Sequence, residues 1–215
     1  MKLYSYDHCP FCVKARMIFG LKNVPVEVVT LLNDDEENPI RMVGAKMLPI
    51  LEKEDGSHMG ESMDIVHYID AQYGEGKLLS EGAKPQWEKW VSETFPVALP
   101  LYLAVNGMAP FEEFATTASR AYYTRKKEAN GAFGDAFTHR DAHVQAINEQ
   151  LTKLEPLLDG QADPSAALDE ADIHLYALLR GLTIIKGLEF PPHVLAYIRT
   201  METRSGVPTL FDIAG

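Results

Sequence analysis

"KLYSYDHCPFCVKARMIFGLKNVPVEVVT" (Lys2–Thr30) is the stretch from which the fold can be read. Leu3–Tyr6 reads as a short strand. From Pro10 to about Lys22 the apolar side chains Cys12, Ala15 and Phe19 recur at helical spacing, and Asn23 with Pro25 ends the run. Val26–Thr30 is β-branched and reads as a second strand. Strand, helix and strand in such close succession form a βαβ unit, so the two strands should be parallel.

Outward from that unit the pattern continues. The acidic run Asn33–Glu37 suits a solvated loop that opens a short helix, because acids are favoured near a helix N-terminus. Leu48–Leu51 is a third strand with a proline near its start, and Asp55-Gly56 marks a hairpin to a short fourth strand at His58–Met59. Ser62 is expected to cap a helix that runs to about Tyr73. The order βαβαββα over residues 1–74 predicts a small α/β domain. Gly74–Lys84 (GEGKLLSEGAK) is glycine-rich and weakly periodic, which places a linker at 75–84. Residues 85–215 contain no strand candidate, and 86–104, 111–128, 132–158, 169–187 and 192–204 read as helices of an all-α domain. The start at Asp169 is the most legible: Asp169 is the N-cap, Asp172 sits three residues on, and Leu168 and Ile173 can form a hydrophobic staple.

Composition narrows the function. The 215 residues carry a formal net charge of −11, spread along the chain, so broad electrostatic binding of nucleic acid is excluded as an expectation. Tyr122–Tyr123 followed by Arg125–Lys127 does not overcome that background. Thr94–Phe111 (TFPVALPLYLAVNGMAPF) is uncharged, yet Pro96, Pro100 and Pro110 suit a buried helix better than a membrane span. The first residues lack the apolar core of a secretory signal, and two cysteines three apart suit a reducing cytosol.

Those cysteines, Cys9 and Cys12, carry the chemistry. Pro10 is at home in the first helical position, which makes Cys9 the N-cap, its sulfur facing the free amides of Phe11 and Cys12 and the positive end of the helix. A thiol of ordinary pKa is only about 3% ionised at pH 7, whereas helix N-termini and C-x-x-C settings lower the pKa to roughly 3.5–7.5. Local amide hydrogen bonds should supply most of that effect, and Lys14 and Arg16 little. Cys12 lies one turn on and inward, within reach of a disulfide. Cys9 would attack and Cys12 would resolve. Zinc needs about four ligands, and the His139/His143 pair has no evident third partner, so no metal is expected. His67 and His174 read as ordinary helix residues.

"YDHCPFC" (6–12) with the helix that follows it resembles the active site of glutaredoxins. "LLNDD" (31–35), "ESMDIVHY" (61–68) and "LLRGLT" (178–183) are similar to the two-domain bacterial members, which combine a thioredoxin-like domain with a glutathione-transferase-like helical one. The resemblance implies glutathione as cosubstrate. It implies a cis Pro49, with Leu48 pairing to the cysteinyl part of glutathione, Phe11 as an aromatic wall, and Glu61-Ser62 holding the γ-glutamyl end. Arg41 or Lys46 are candidates for the glycine carboxylate. "MGES" stands where small glutaredoxins carry a Gly-Gly turn and Asp, which favours the transferase-like branch. The implied activity is a glutathione-dependent reduction of protein disulfides and protein–glutathione mixed disulfides, by a cytoplasmic monomer. The alternatives are a transferase for small electrophiles, with 94–111 lining its acceptor cleft, and a non-catalytic interaction module of the same fold.

Overall fold

The computed structural model describes residues 1–215. Four strands, β1 (Lys2–Ser5), β2 (Glu27–Thr30), β3 (Ile50–Glu52) and β4 (His58–Met59), form one mixed sheet in the order β2-β1-β3-β4. β1 runs parallel to β2, with Leu3 opposite Val28, and antiparallel to β3, with Leu3 opposite Leu51. The parallel pair is the βαβ unit read from Lys2–Thr30. Helices α1 (Pro10–Leu21), α2 (Glu37–Val43) and α3 (Ser62–Gln72) complete this half, so βαβαββα stands. Six helices follow: α4 (Pro85–Met108), α5 (Thr117–Lys127), α6 (Phe133–Thr138), α7 (Arg140–Leu154), α8 (Glu170–Leu182) and α9 (Pro192–Ser205).

Helix α1 is the pivot. It packs on α3 within the α/β half and on α8 and α9 of the helical half. Cys12, Val13, Ala15, Met17, Ile18 and Phe19 are therefore all buried, well beyond one amphipathic stripe. Gly20 permits this approach: a β-carbon there would stand 1.7 Å from the carbonyl oxygen of Ser205, at the end of α9. One continuous cluster of 46 buried apolar residues runs from Leu3 in the sheet, through α1, to Leu210 near the C-terminus.

The stretch 75–84 is pinned at several points. The Leu78 and Leu79 amides donate to the Asp70 carboxylate at 2.7 and 3.1 Å. That carboxylate pairs with the equally buried Lys22 ammonium at 3.0 Å, and Leu79 bridges to Leu168 in parallel.

Several boundaries differ from the sequence reading. Glu61, at φ 61°, is the N-cap of α3, and Ser62 is its first helical residue. Residues 111–128 open as a 3-10 turn at Glu112–Phe114 and restart as α5, capped by Thr116 in a reciprocal box with Ser119. Residues 132–158 break at His139, because no residue between Ala136 and Ile147 is buried and no packing holds the two helices in line. The Asp169 box is complete: its Oδ1 accepts from the Ala171 amide at 2.9 Å, and Asp172 Oδ2 accepts from the Asp169 amide at 2.9 Å. Pro96 and Pro100 lie inside α4, amid buried residues, and no helix is long and apolar enough to cross a membrane.

Candidate active site

β1 delivers the chain to the start of α1. Cys9 holds the N-cap position in an extended conformation (φ −86°, ψ 120°), and Pro10 follows as the first helical residue. Both thiols are free; Cys9 is partly exposed and Cys12 is fully buried. The Tyr6 amide donates to Cys12 Sγ at 3.3 Å.

The two thiols differ in acidity. Cys9 is pulled down to about 6, chiefly because the Cys12 thiol donates to it; the His8 charge and the Cys12 and Phe11 amides add to this against the opposing effect of burial. Cys12 is pushed up by burial and by its neighbour Cys9. At pH 7 a thiol of pKa about 6 is roughly nine-tenths ionised. The expectation that amides dominate is thus corrected: the second cysteine contributes most, and the Cys12 and Phe11 amides add to it. Lys14 lies over the Phe11 ring at 4.9 Å, and Arg16 binds Asp7.

Cys9 opens into a cleft of about 470 Å³. Phe11, 52% exposed, forms one rim, and Leu48 lines the wall beside it. The Leu48–Pro49 bond is cis, and Pro49 is buried behind that wall. Glu61 and Ser62 stand outside the lining; a β-carbon on the preceding Gly60 would lie 3.2 Å from the Met47 methyl, so Met47 forms the wall there. Lys46 is in the cleft, bonded to the Tyr6 hydroxyl at 2.7 Å and the Asp35 carbonyl at 2.6 Å. Arg41 is exposed, outside the lining, and tied to Asn38.

The opposite wall is α5, with Tyr122, Lys126 and Lys127. The sequence reading singled out this cluster only as a rejected nucleic-acid patch. Nothing local shows which distant helix will face Cys9, so its place in the cleft was not visible. Thr94–Phe111 does not line this cleft; Phe95, Ala98, Leu99 and Tyr102 of α4 border only a narrow apolar hollow beside Pro10. No group of three or more His, Cys, Asp or Glu side chains is arranged to hold a metal. His67 pairs with Glu170 at the surface, and His139 is exposed.

Comparison with known proteins places the chain in a family. Residues 86–214 match the family "Glutaredoxin 2, C terminal domain", and residues 3–77 match "Glutathione S-transferase, N-terminal domain". The chain is 45% identical to glutaredoxin 2 of Escherichia coli K12 over 215 residues, the full length of both. The chain belongs to the glutaredoxin 2 family. Glutaredoxin 2 of Salmonella typhimurium, solved in complex with glutathione, is 44% identical, with a TM-score of 0.94 over 100% of this chain and 98% of that one. A glutathione transferase of Phanerochaete chrysosporium shares the fold at 14% identity, with a TM-score of 0.73 over 94% of this chain and 96% of that one. The expected fold, a thioredoxin-like domain joined to a transferase-like helical one, is therefore found. As a member of that family, the chain is a glutathione-dependent thiol oxidoreductase.

Proposed function

We propose that Cys9 is the nucleophile and Cys12 the resolving thiol in the reduction of protein disulfides and protein–glutathione mixed disulfides. The observation that carries this is the asymmetry of the pair: one sulfur partly exposed and held as thiolate, the other buried and held as thiol. The Cys9 thiolate attacks a substrate disulfide, forming a mixed disulfide and expelling one substrate thiolate. The Cys12 thiol gives up its proton and attacks the Cys9 sulfur. This forms the Cys9–Cys12 disulfide and releases the second substrate thiolate. Two glutathione thiols then restore the dithiol and leave as glutathione disulfide. With glutaredoxin potentials near −200 to −230 mV and a cytosolic glutathione poise of about −220 to −260 mV, the pool sets the direction.

Glutathione is proposed to lie between Phe11 and the cis Leu48–Pro49 segment, its cysteinyl backbone paired with Leu48. Its γ-glutamyl end reaches the first turn of α3, where Ser62 and the free amides take the carboxylate and Glu61 takes the ammonium. Lys46, already facing the cleft, suits the glycine carboxylate. The complex of the Salmonella glutaredoxin 2 with glutathione supports this assignment of ligand. We further read residues 1–74 and 85–215 as the two domains, 75–84 as their connection, and the protein as a cytoplasmic monomer; sedimentation tests the last.

The deciding measurement is a pH titration of Cys9 alkylation, with activity assays of Cys9→Ser and Cys12→Ser. The expected midpoint lies near pH 6. Cys9→Ser should lose all activity, and Cys12→Ser should lose protein-disulfide reduction while still deglutathionylating. A midpoint near pH 8.5, or unimpaired disulfide reduction by Cys12→Ser, would sink the reading.

A further inference from the structure

The peptide that leads into Cys9 is held by side chains of the helical half at three successive backbone groups. Arg180 of α8, almost wholly buried, donates to the Asp7 carbonyl. Glu113, in the 3-10 turn before α5, accepts from the His8 amide at 3.0 Å. Tyr102 of α4 donates its hydroxyl to the His8 carbonyl. Glu113 reaches further: the same oxygen, Oε1, lies 2.7 Å from His8 Nδ1, and its other oxygen, Oε2, has no partner at all. The carboxylate is 0% exposed. A buried acid is costly to ionise without a counter-charge, and the only ionisable partner this one touches is the ring of the residue adjoining the nucleophile.

We propose that Glu113 is a positioning residue of the glutaredoxin site, which acts on Cys9 through His8. It fixes the His8 amide and ring beside Cys9, and its buried carboxylate pairs with the charge that His8 brings to that thiol. The helical half thereby helps to set the reactivity of a thiol that belongs to the α/β half. The proposal rests on Cys9 being the nucleophile. The lowered Cys9 thiol, to which the His8 charge contributes, agrees with it.

Aromatic rings enclose the His8 side of the pair. Tyr6, just after β1, stacks on the His8 ring with centroids 5.5 Å apart, Phe114 tilts against it at 4.9 Å, and Tyr123 of α5 meets it edge-on at 5.1 Å. Burial pushes the phenols of Tyr6, Tyr102 and Tyr123 up, so all three are neutral near pH 7. Asp7 is engaged by Arg16 and Arg180, and Lys46 is bonded to the Tyr6 hydroxyl at 2.7 Å. Glu36, Lys126 and Lys127 line the cleft that His8 and Cys9 share, Lys14 stands over the Phe11 ring, and Cys9 and Cys12 complete the titratable set.

The test is the pH dependence of Cys9 alkylation in Glu113→Gln, which keeps an oxygen for the His8 amide and removes the charge. The midpoint should rise by about one unit, the smaller end of what one nearby charge does. Alkylation at pH 6 should slow about fivefold if the starting midpoint is near 6. His8→Gln should give the same rise, and the double variant no more than either alone. If Glu113→Gln folds with an unmoved midpoint, the inference is wrong while the functional reading stands. If the unaltered protein already titrates near pH 8.5, the functional reading fails first. Should Glu113→Gln not fold, NMR of the His8 ring in the unaltered protein decides. Its titration must differ between the dithiol and the Cys9–Cys12 disulfide, and identical curves would overturn the coupling.

Discussion

At the scale of single residues, reactivity here is made by short-range donors. Cys9 begins a helix, but the helix end alone is a modest influence, worth about 0.3–1 kcal/mol at exposed sites. A lowering to about 6 is larger than that, and the direct S–H contact from Cys12 leads it. Removing that donor has a definite consequence. In Cys12→Ala the alkylation midpoint of Cys9 should move up from about 6 toward the ordinary thiol value, and in Cys12→Ser, which keeps a hydroxyl donor, it should move less. Following thiolate absorbance against pH in the three proteins checks this, and an unshifted Cys12→Ala curve would return the leading role to the amides. The sign also fixes a stability effect. A thiol lowered on folding stabilises the reduced protein as the thiolate. The gain is absent below about pH 6, grows as pH rises, and is complete above the unfolded thiol value of about 8.5. The melting temperature of the dithiol form should rise relative to that of the disulfide form across this window.

At the scale of elements, the loop after α3 depends on one buried pair. Asp70 accepts the amides of Leu78 and Leu79 and pairs with Lys22, which also donates to the Gly76 carbonyl. Burial alone would raise the Asp70 carboxyl, but the two amides and the ammonium overcome it and hold it below the usual carboxylate range. Its contribution is therefore present above about pH 4, the unfolded carboxyl value, and is lost as pH falls through the lowered folded value. Asp70→Ala leaves Lys22 charged, buried and unpaired, and orphans two amides, so a loss of about 3–5 kcal/mol is expected. Urea denaturation measures it; a loss below about 1 kcal/mol would show that water reaches Lys22 readily. The glycines of 74–84 signalled a linker correctly as irregular backbone. Its anchoring depends on Asp70, an acid inside a helical pattern that reads as an ordinary polar position. The break before Thr116 is set by its box with Ser119, and the one at His139 falls where no residue between Ala136 and Ile147 is buried, so a helix read across either point runs on too far.

At the scale of the whole molecule, the two halves share one core. α1 packs against α3 on one side and α8 and α9 on the other, Gly20 allows contact with Ser205, and Arg180 reaches from α8 to Asp7. Unfolding should accordingly be a single transition. The only two tryptophans, Trp87 and Trp90, sit in α4, while Cys12 lies in α1, so tryptophan fluorescence and Cys12 alkylation report on opposite halves. Their denaturation midpoints should coincide; two separated midpoints would mean that the halves unfold independently despite the continuous core.

The βαβ unit, the helical second half, the Asp169 box and the place of Cys9 at a helix start, with Cys12 one turn behind, are all legible in the chain order. Each rests on interactions a few residues apart, where periodicity, capping chemistry and the geometry of proline are visible in the chain order. Leu48, Pro49, Glu61 and Ser62 entered through resemblance, since spacing alone does not connect them to Cys9. Tertiary packing alone brings α5 to the cleft wall with Tyr122, Lys126 and Lys127, and Glu113, 105 residues from His8, onto the His8 amide and ring. Such placements arise when α1 and the sheet dock on the helices. They depend on which buried faces fit together, and a linear pattern carries no record of that.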